Sequence, residues 1–510
     1  MYGEMIGQAI LSPSRGAPDV GFEKIAAGLA LLILAILTAK LALRTYRLYI
    51  HPLKSFKGLP EAYVSNNWLY QTIKNGTAEQ TFEALHEKYN TKALRIGPNE
   101  LHITDIELYK VIYNQSKPFL KHAPFYNGFN TPHTVFAELE PRLHKERRRM
   151  LNPLFSKVGV YKLEPLICEK IYRLSAKINR LCATKEIDVY NAFRLLTTDI
   201  ITEFAFAKSA NLIEERHDEL DSWFLDAFDV GSQSVVDTQY SSVLRQIVKI
   251  LPGAVVKLLN PKLRSILDLQ EFAASCMRHW QRSSEGSSYP VIFDSLRSIS
   301  DDAKVFEAMD ILIAGADTTA STLTTGLFHI LSNEEIKSRL VQAIDEAMPE
   351  PGSLISLQAL EKVEYLTACV KESLRVGMAV PGRLPRVVPT GDPFIVEGKV
   401  VPPGTIVGIS TYTMHTSVKA WGPNAREFDP DRWIGPESKG LEQWLCTFSK
   451  GARMCLGQNV APAEITLAYA HIFRNFELSL PEGHVHPRAL DRFTLAYQQP
   501  GLPVVFRPRR

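Results

Sequence analysis

Between Ile25 and Leu43 the chain reads IAAGLALLILAILTAKLAL, apolar except at Lys40. A helix of that length crosses a hydrocarbon core of about 30 Å. Lys40, Arg44, Arg47, Lys54 and Lys57 end or follow the run, whereas only Arg15 and Lys24 precede it, so the cation bias predicts a cytosolic location for the rest of the chain. The run is long for the apolar part of a cleaved signal peptide, and no A-x-A site followed by polar sequence ends it, which favours a retained anchor. HPLKSFKGLP then supplies the prolines and glycine of a stiff connector. The expected division is a short lumenal segment (1–24), a transmembrane anchor (25–43), a connector (44–60) and one large globular domain (61–510).

From the connector to about residue 380 the apolar positions recur mostly at helical spacing. Asp301 to Asn333 reads as one long helix with aspartates at its start. In LEKVEYLTACVKESLRVG, Leu360, Val363, Leu366, Val370 and Leu374 form one stripe, and Gly377 is the expected stop. PFIVEGKVVPPGTIVGIS alternates around turn residues and predicts short antiparallel strands. NVAPAEITLAYAHIFRNF returns to a helix. The expected fold is mainly α with a small β region.

Composition narrows the function. With 510 residues, 45% apolar content and a net charge of +3, the chain can bury a large core, and its charge is too balanced for nucleic acid as main partner. Six scattered cysteines form neither a disulfide framework nor a CxxC zinc pattern. Five read as ordinary buried thiols of a reducing compartment.

Cys455 stands apart, in FSKGARMCLG. A thiolate is the metal-binding form of cysteine, so such a site has to favour the anion. A loop entering the next helix offers backbone N–H groups for that charge. Gly451 and Gly457 permit positive φ or close approach to a flat cofactor, and Arg453 suits a cofactor carboxylate. AGADTT, Ala314 to Thr319, sets Gly315 and polar residues inside an apolar helix, where glycine costs about 1 kcal/mol relative to alanine. Asp317 and Thr318 there form a possible proton-delivery unit; a simple kink packed on a neighbour explains the same residues. Glu372 and Arg375 of KESLR can pair at i, i+3, a pattern that alone mostly marks solvated surface.

The order Phe448-x-x-Gly451-x-Arg453-x-Cys455-x-Gly457 resembles, position for position, the haem-binding signature of the cytochrome P-450 monooxygenases. The resemblance extends over nearly the whole chain and implies that family's fold, with haem b held through Cys455. It implies further that AGADTT is the oxygen-activation motif, and that Glu372, Arg375 and Arg432 (of FDPDRW) form a buried structural triad. HKERRRM is similar to a helix in which a tryptophan precedes a propionate-binding arginine; here His144 replaces the tryptophan and Arg148 keeps the arginine. Arg386 of RLPR matches a second propionate position. Lys145, Arg147 and Arg149 suit an acidic reductase surface. No nucleotide-binding fingerprint or flavin domain is fused to the chain, so the resemblance implies electrons from a separate NADPH-dependent reductase, at the endoplasmic reticulum membrane.

Phe125, Tyr126, Ile311, Ala314, Val380 and Pro381 are the expected pocket wall, and they imply an apolar small molecule. YRLYIHPLKSF and FSKGARMCLGQNVAPAE look most like membrane-bound fungal members near the trichodiene oxygenases, which makes a terpenoid of secondary metabolism the first expectation and a polyketide or aromatic natural product the second. A reductase-independent isomerase or dehydratase commonly loses the Asp–Thr motif that this chain keeps. A non-catalytic haem sensor would not need it.

Overall fold

The computed structural model describes residues 22–250, 255, 261–282, 287–350, 355–485 and 487–509. Two compact units divide at Lys54 and Ser55.

In the first unit, helix Phe22–Thr45 continues through a wider π turn, Tyr46–Ile50. Ile25, Leu32, Leu37 and Leu41 stand exposed, and none of the apolar window is covered by protein. The helical stretch runs beyond the expected limit at residue 43 and takes in Arg44 and Arg47. Of the expected lumenal segment, residues 1–21 lie outside the described residues.

The second unit is mostly helical with small sheets. Helix Val189–Phe206 is buried on nearly every face and crosses the helix Asp301–Ala316. A Cβ on Gly315 would lie 2.4 Å from Cγ1 of Ile201, so only glycine lets the two backbones approach this closely. The single long helix expected over 301–333 is two helices, Asp301–Ala316 and Thr318–Leu331, parted at Asp317. The hydroxyl of Thr197 donates to the Ala316 carbonyl at that break, an example of a side chain inserted into the helical ladder. Ser300 caps the first helix, with its side chain accepting from Ala303 N at 3.4 Å, and the aspartates occupy the first turn.

Helix Glu364–Gly377 ends as expected, but the left-handed stop is Met378 (φ 38°). Gly377 is small for another reason: a Cβ there would come within 3.2 Å of Thr322 Cα. The expected β region is partly antiparallel. Phe394–Val396 pairs with Lys399–Val401, whereas Ile406–Gly408 lies parallel to Glu100–Ile103. The five-stranded sheet runs Ala93–Gly97, Glu100–Ile103, Ile406–Gly408, Arg386–Val387, Leu120–Lys121. Its register sets Lys121 opposite Arg386 at one edge. Helix Val460–Asn475 follows the cysteine loop into the core, where Ile465, Leu467 and Ala468 are fully buried.

Candidate active site

Cys455 is the one exposed cysteine among the six. Burial nevertheless pushes its thiol pKa up, against the Gly457 N–H and the nearby Arg148 cation. Both observations hold if the sulfur faces a cleft walled by protein. The protein alone therefore does not deliver the lowered thiol pKa expected from the loop; a coordinated metal would deprotonate the sulfur outright. The loop itself is rigidly specified. Cys455 N donates to Phe448 O at 2.9 Å, and Gly451 has φ 75° with the Tyr113 carbonyl oxygen 2.4 Å from where a Cβ would stand.

Basic side chains collect beside this loop. Helix Pro141–Leu151 buries His144, and its Arg148 donates to Met454 O, the residue before the cysteine. Arg453 donates to Glu138 O (2.8 Å) and Leu139 O (3.1 Å). Arg386 donates to the Tyr126 hydroxyl and to Pro385 O at 3.1 Å. Lys121 donates to Phe136 O and lies over the Tyr126 ring at 4.5 Å. Among the described residues none of these four cations forms an ion pair with a carboxylate.

The cost is visible in their acidities. Burial, with Arg386 and Arg453 nearby, holds Lys121 well below an ordinary lysine. Burial and Arg386 bring Arg453 down to about 10. His144 falls to about 3 through burial and the cations Arg453, Lys121 and Arg148, so its ring is neutral and offers one N–H. Buried cations without anions are expensive, and a dicarboxylate seated among them would offset that expense. The residues thus fit a haem, with Cys455 for the iron and Arg148, Arg386, Arg453, Lys121 and the His144 ring for the propionates. Lys121 was not legible in the sequence, because only strand pairing brings it to Arg386.

Ala314 is exposed while Leu312 and Ala316 around it are buried, as expected for a residue bordering an internal space. Gly315 faces Ile201 rather than that space. Asp317 is buried and held by Arg194 Nε (2.9 Å), the Tyr190 hydroxyl (3.0 Å) and the Thr494 hydroxyl (3.0 Å). Burial raises its carboxyl pKa and Arg194 opposes the rise. Arg194 also binds Asp229 at 2.6 Å, whose side chain is 40% exposed, so one guanidinium links the buried acid to the surface. Thr318 Oγ1 donates to Ala314 O at 2.9 Å. Arg194 was missed too, although a cation inside the apolar run NAFRLLTTDII was its signal.

Glu372 accepts from Arg375 (2.7 and 2.9 Å), Arg432 (3.0 Å), Trp433 Nε1 (2.9 Å) and Asp429 N (2.8 Å). Arg375 continues to the carbonyls of His415, Ala425 and Glu427. His415 sits between Arg375 O (2.7 Å) and Cys446 N (2.9 Å), which ties this cluster to the segment leading into the cysteine loop.

The sequence profile described as Cytochrome P450 matches residues 59–505. Similar curated proteins include the cytochrome P450 monooxygenase macH of Penicillium terrestre, 31% identical over 85% of this chain and 88% of the relative. Another is the tryptophan 6-hydroxylase fscE of Fusarium equiseti, 30% identical over 89% of this chain and 91% of the relative. Among solved structures, the cytochrome P450DA heme domain superposes with a TM-score of 0.74 at 19% identity, covering 89% of this chain and 98% of that one.

Proposed function

This chain belongs to the cytochrome P450 family and is a monooxygenase of it, and from that premise we propose that it inserts one oxygen atom of O2 into a C–H bond or double bond of an apolar small molecule. A terpenoid of fungal secondary metabolism is the first substrate class. The rings of Phe125, Tyr126, Phe129, Phe136 and Phe493, with neighbouring centroids 4.7 to 6.1 Å apart, favour a polyketide or aromatic natural product as the second. The observation that carries the reading is the set of buried (Lys121, Arg386) and half-buried (Arg148, Arg453) cations without ion-pair partners among the described residues, beside an accessible cysteine.

A bound haem held by a thiolate would supply the oxidising power for C–H chemistry. This chain's residues do the rest. Cys455 would hold the iron, with the Gly457 N–H and Arg148 tempering the negative charge of its sulfur. Arg148, Arg386, Arg453, Lys121 and His144 would hold the propionates. Phe448, Gly451 and Gly457 shape the loop, and Gly315 lets the crossing helices close behind Ala314. Asp317 and Thr318 handle protons: Arg194 pairs with the Asp317 carboxylate and links it to Asp229 at the surface, and the Thr318 hydroxyl can leave the Ala314 carbonyl to donate into the adjoining space. Glu372, Arg375 and Arg432 brace the cysteine loop and make no bonds to reactants. Electrons come from a separate reductase, here assigned to NADPH, docking on the side of the exposed Lys145 and Arg149; Arg147, expected there too, is instead paired with the buried Glu307. The apolar helix Phe22–Thr45 anchors a single-pass protein in the endoplasmic reticulum membrane, with the large unit cytosolic.

Full-length protein in membranes, with reductase and NADPH, tests this against terpenoid, polyketide and aromatic extracts, reading products that gain one oxygen atom. Cys455→Ser is expected to lose the red-shifted ferrous–carbonyl absorbance of thiolate ligation and all turnover; an unchanged spectrum would assign the iron to another residue. Thr318→Ala is expected to keep that absorbance and NADPH oxidation, release more hydrogen peroxide and lower product formation by about 10²–10⁴-fold.

A further inference from the structure

The hairpin Ala489–Arg492/Thr494–Tyr497 turns on a single residue, because Arg492 pairs directly with Thr494. That residue is Phe493, at φ 83°, a left-handed conformation that a bulky side chain rarely adopts. Its N–H donates to Asp491 Oδ1 at 2.9 Å, and the next strand is held by Leu495 N to Ala379 O at 2.9 Å. The ring is only partly buried and meets Phe129 (4.7 Å), Phe136 (5.7 Å) and Phe125 (6.1 Å). Phe136 is fastened by its N–H to Asp310 Oδ2 (3.3 Å), one helical turn before Ala314. The aromatic group therefore borders the space next to Ala314. Thr494, immediately after the tip and 5% exposed, donates to Asp317 Oδ2 at 3.0 Å. Two adjacent residues thus touch the apolar wall and the buried acid.

We propose that this tip couples pocket occupancy to proton handling: Phe493 rests against an uncharged, apolar bound molecule, and Thr494 transmits its displacement to Asp317. The proposal rests on the reading above of Asp317 and the pocket. Thr494 is a positioning residue, acting through the carboxylate it holds. The strained tip favours movement, since relaxing φ at Phe493 releases stored energy. The sign follows from linkage. A hydroxyl donating to a carboxylate stabilises its charged form, so an occupant that lifts Thr494 away raises the affinity of Asp317 for a proton, and binding is then tighter at lower pH. The other groups facing Asp317 are Arg194 and Tyr190 of helix Val189–Phe206 and, beyond Arg194, Asp229 of helix Trp223–Tyr240.

Naphthalene, which is apolar and does not titrate, is the probe, with its binding to full-length holoenzyme measured by equilibrium dialysis between about pH 6 and pH 9. The wild type is expected to bind about fivefold more tightly at the acid end. Thr494→Val should make the affinity independent of pH, and Thr494→Ser should restore the dependence. Phe493→Gly, which suits the positive φ, should weaken binding about tenfold and also flatten it. A flat wild-type profile, or the same slope in Thr494→Val, would overturn the coupling. The ferrous–carbonyl absorbance of the same samples separates the two readings: when it is normal, only the coupling fails, and when it is absent from the wild type, both fail.

Discussion

Two arginine-rich clusters lie buried in this molecule, and they differ in how their charges are met. Around Glu372 every guanidinium has an anion: Arg375 and Arg432 share that carboxylate, and Asp429 stands 3.7 Å from Arg432. Their remaining N–H groups reach backbone carbonyls. Around Cys455, Lys121, Arg148, Arg386 and Arg453 donate, among the described residues, only to carbonyls and a phenol. The first arrangement is complete as it stands and braces the fold. The second is incomplete in charge though satisfied in hydrogen bonds, and incompleteness of that kind is what a binding site for an anionic group looks like from within.

The largest test removes the centre of the complete cluster. Glu372→Gln leaves Arg375 and Arg432 buried without their anion and is expected to cost about 3–5 kcal/mol in denaturant unfolding, with loss of haem content. A cost below about 1 kcal/mol would erase the distinction drawn between the clusters. A third charged group sharpens it from the opposite sign. Glu307 pairs with Arg147 while Asp310 faces the charge of Lys121, and burial raises the two carboxyls to about 7 and about 6. Because these folded values lie above the ordinary carboxyl range, the associated stability is present in acid, below the unfolded pKa, and is lost as pH rises toward 7. Unfolding measured from about pH 4 to pH 8 should show a decline on the order of 1–3 kcal/mol that Glu307→Gln reduces. The smallest effect has the most telling sign. Lys121→Met should stabilise the haem-free protein by about 1 kcal/mol while lowering haem retention, whereas a purely structural lysine would lose on both measurements.

Contiguous motifs were legible, and pairings across the chain were not. The cysteine loop, AGADTT and KESLR each fit within a few positions, so residue type and spacing carry their chemistry. The mostly helical fold followed from periodicity for the same reason. Lys121 acquires its place from a strand pairing with Arg386, and FLKHAP holds no signal of that. The break at Asp317 fits the kink that its polar residues allowed, but its cause was hidden, because the hydroxyl that inserts there belongs to Thr197 on another helix. Gly315 drew attention for the right physical cost, but its reason, the approach of Ile201, exists only in the packed molecule. Thr494 lies in a stretch whose alternation is ordinary, and its contact with Asp317 is likewise tertiary.

The order of the cradle's parts along the chain has a consequence for how the protein is made. Lys121, His144, Arg148, Arg386, Arg453 and Cys455 leave the ribosome in that sequence, the cysteine among the last, and helix Phe22–Thr45 long before any of them. Translation therefore delivers the apolar helix before the proposed cradle and completes that cradle only at Cys455. Until then the growing chain has cations with nothing to hold and lacks the Cys455 sulfur, so cofactor capture waits for that residue, and a ribosome that stalls before codon 455 releases a chain that cannot take it up.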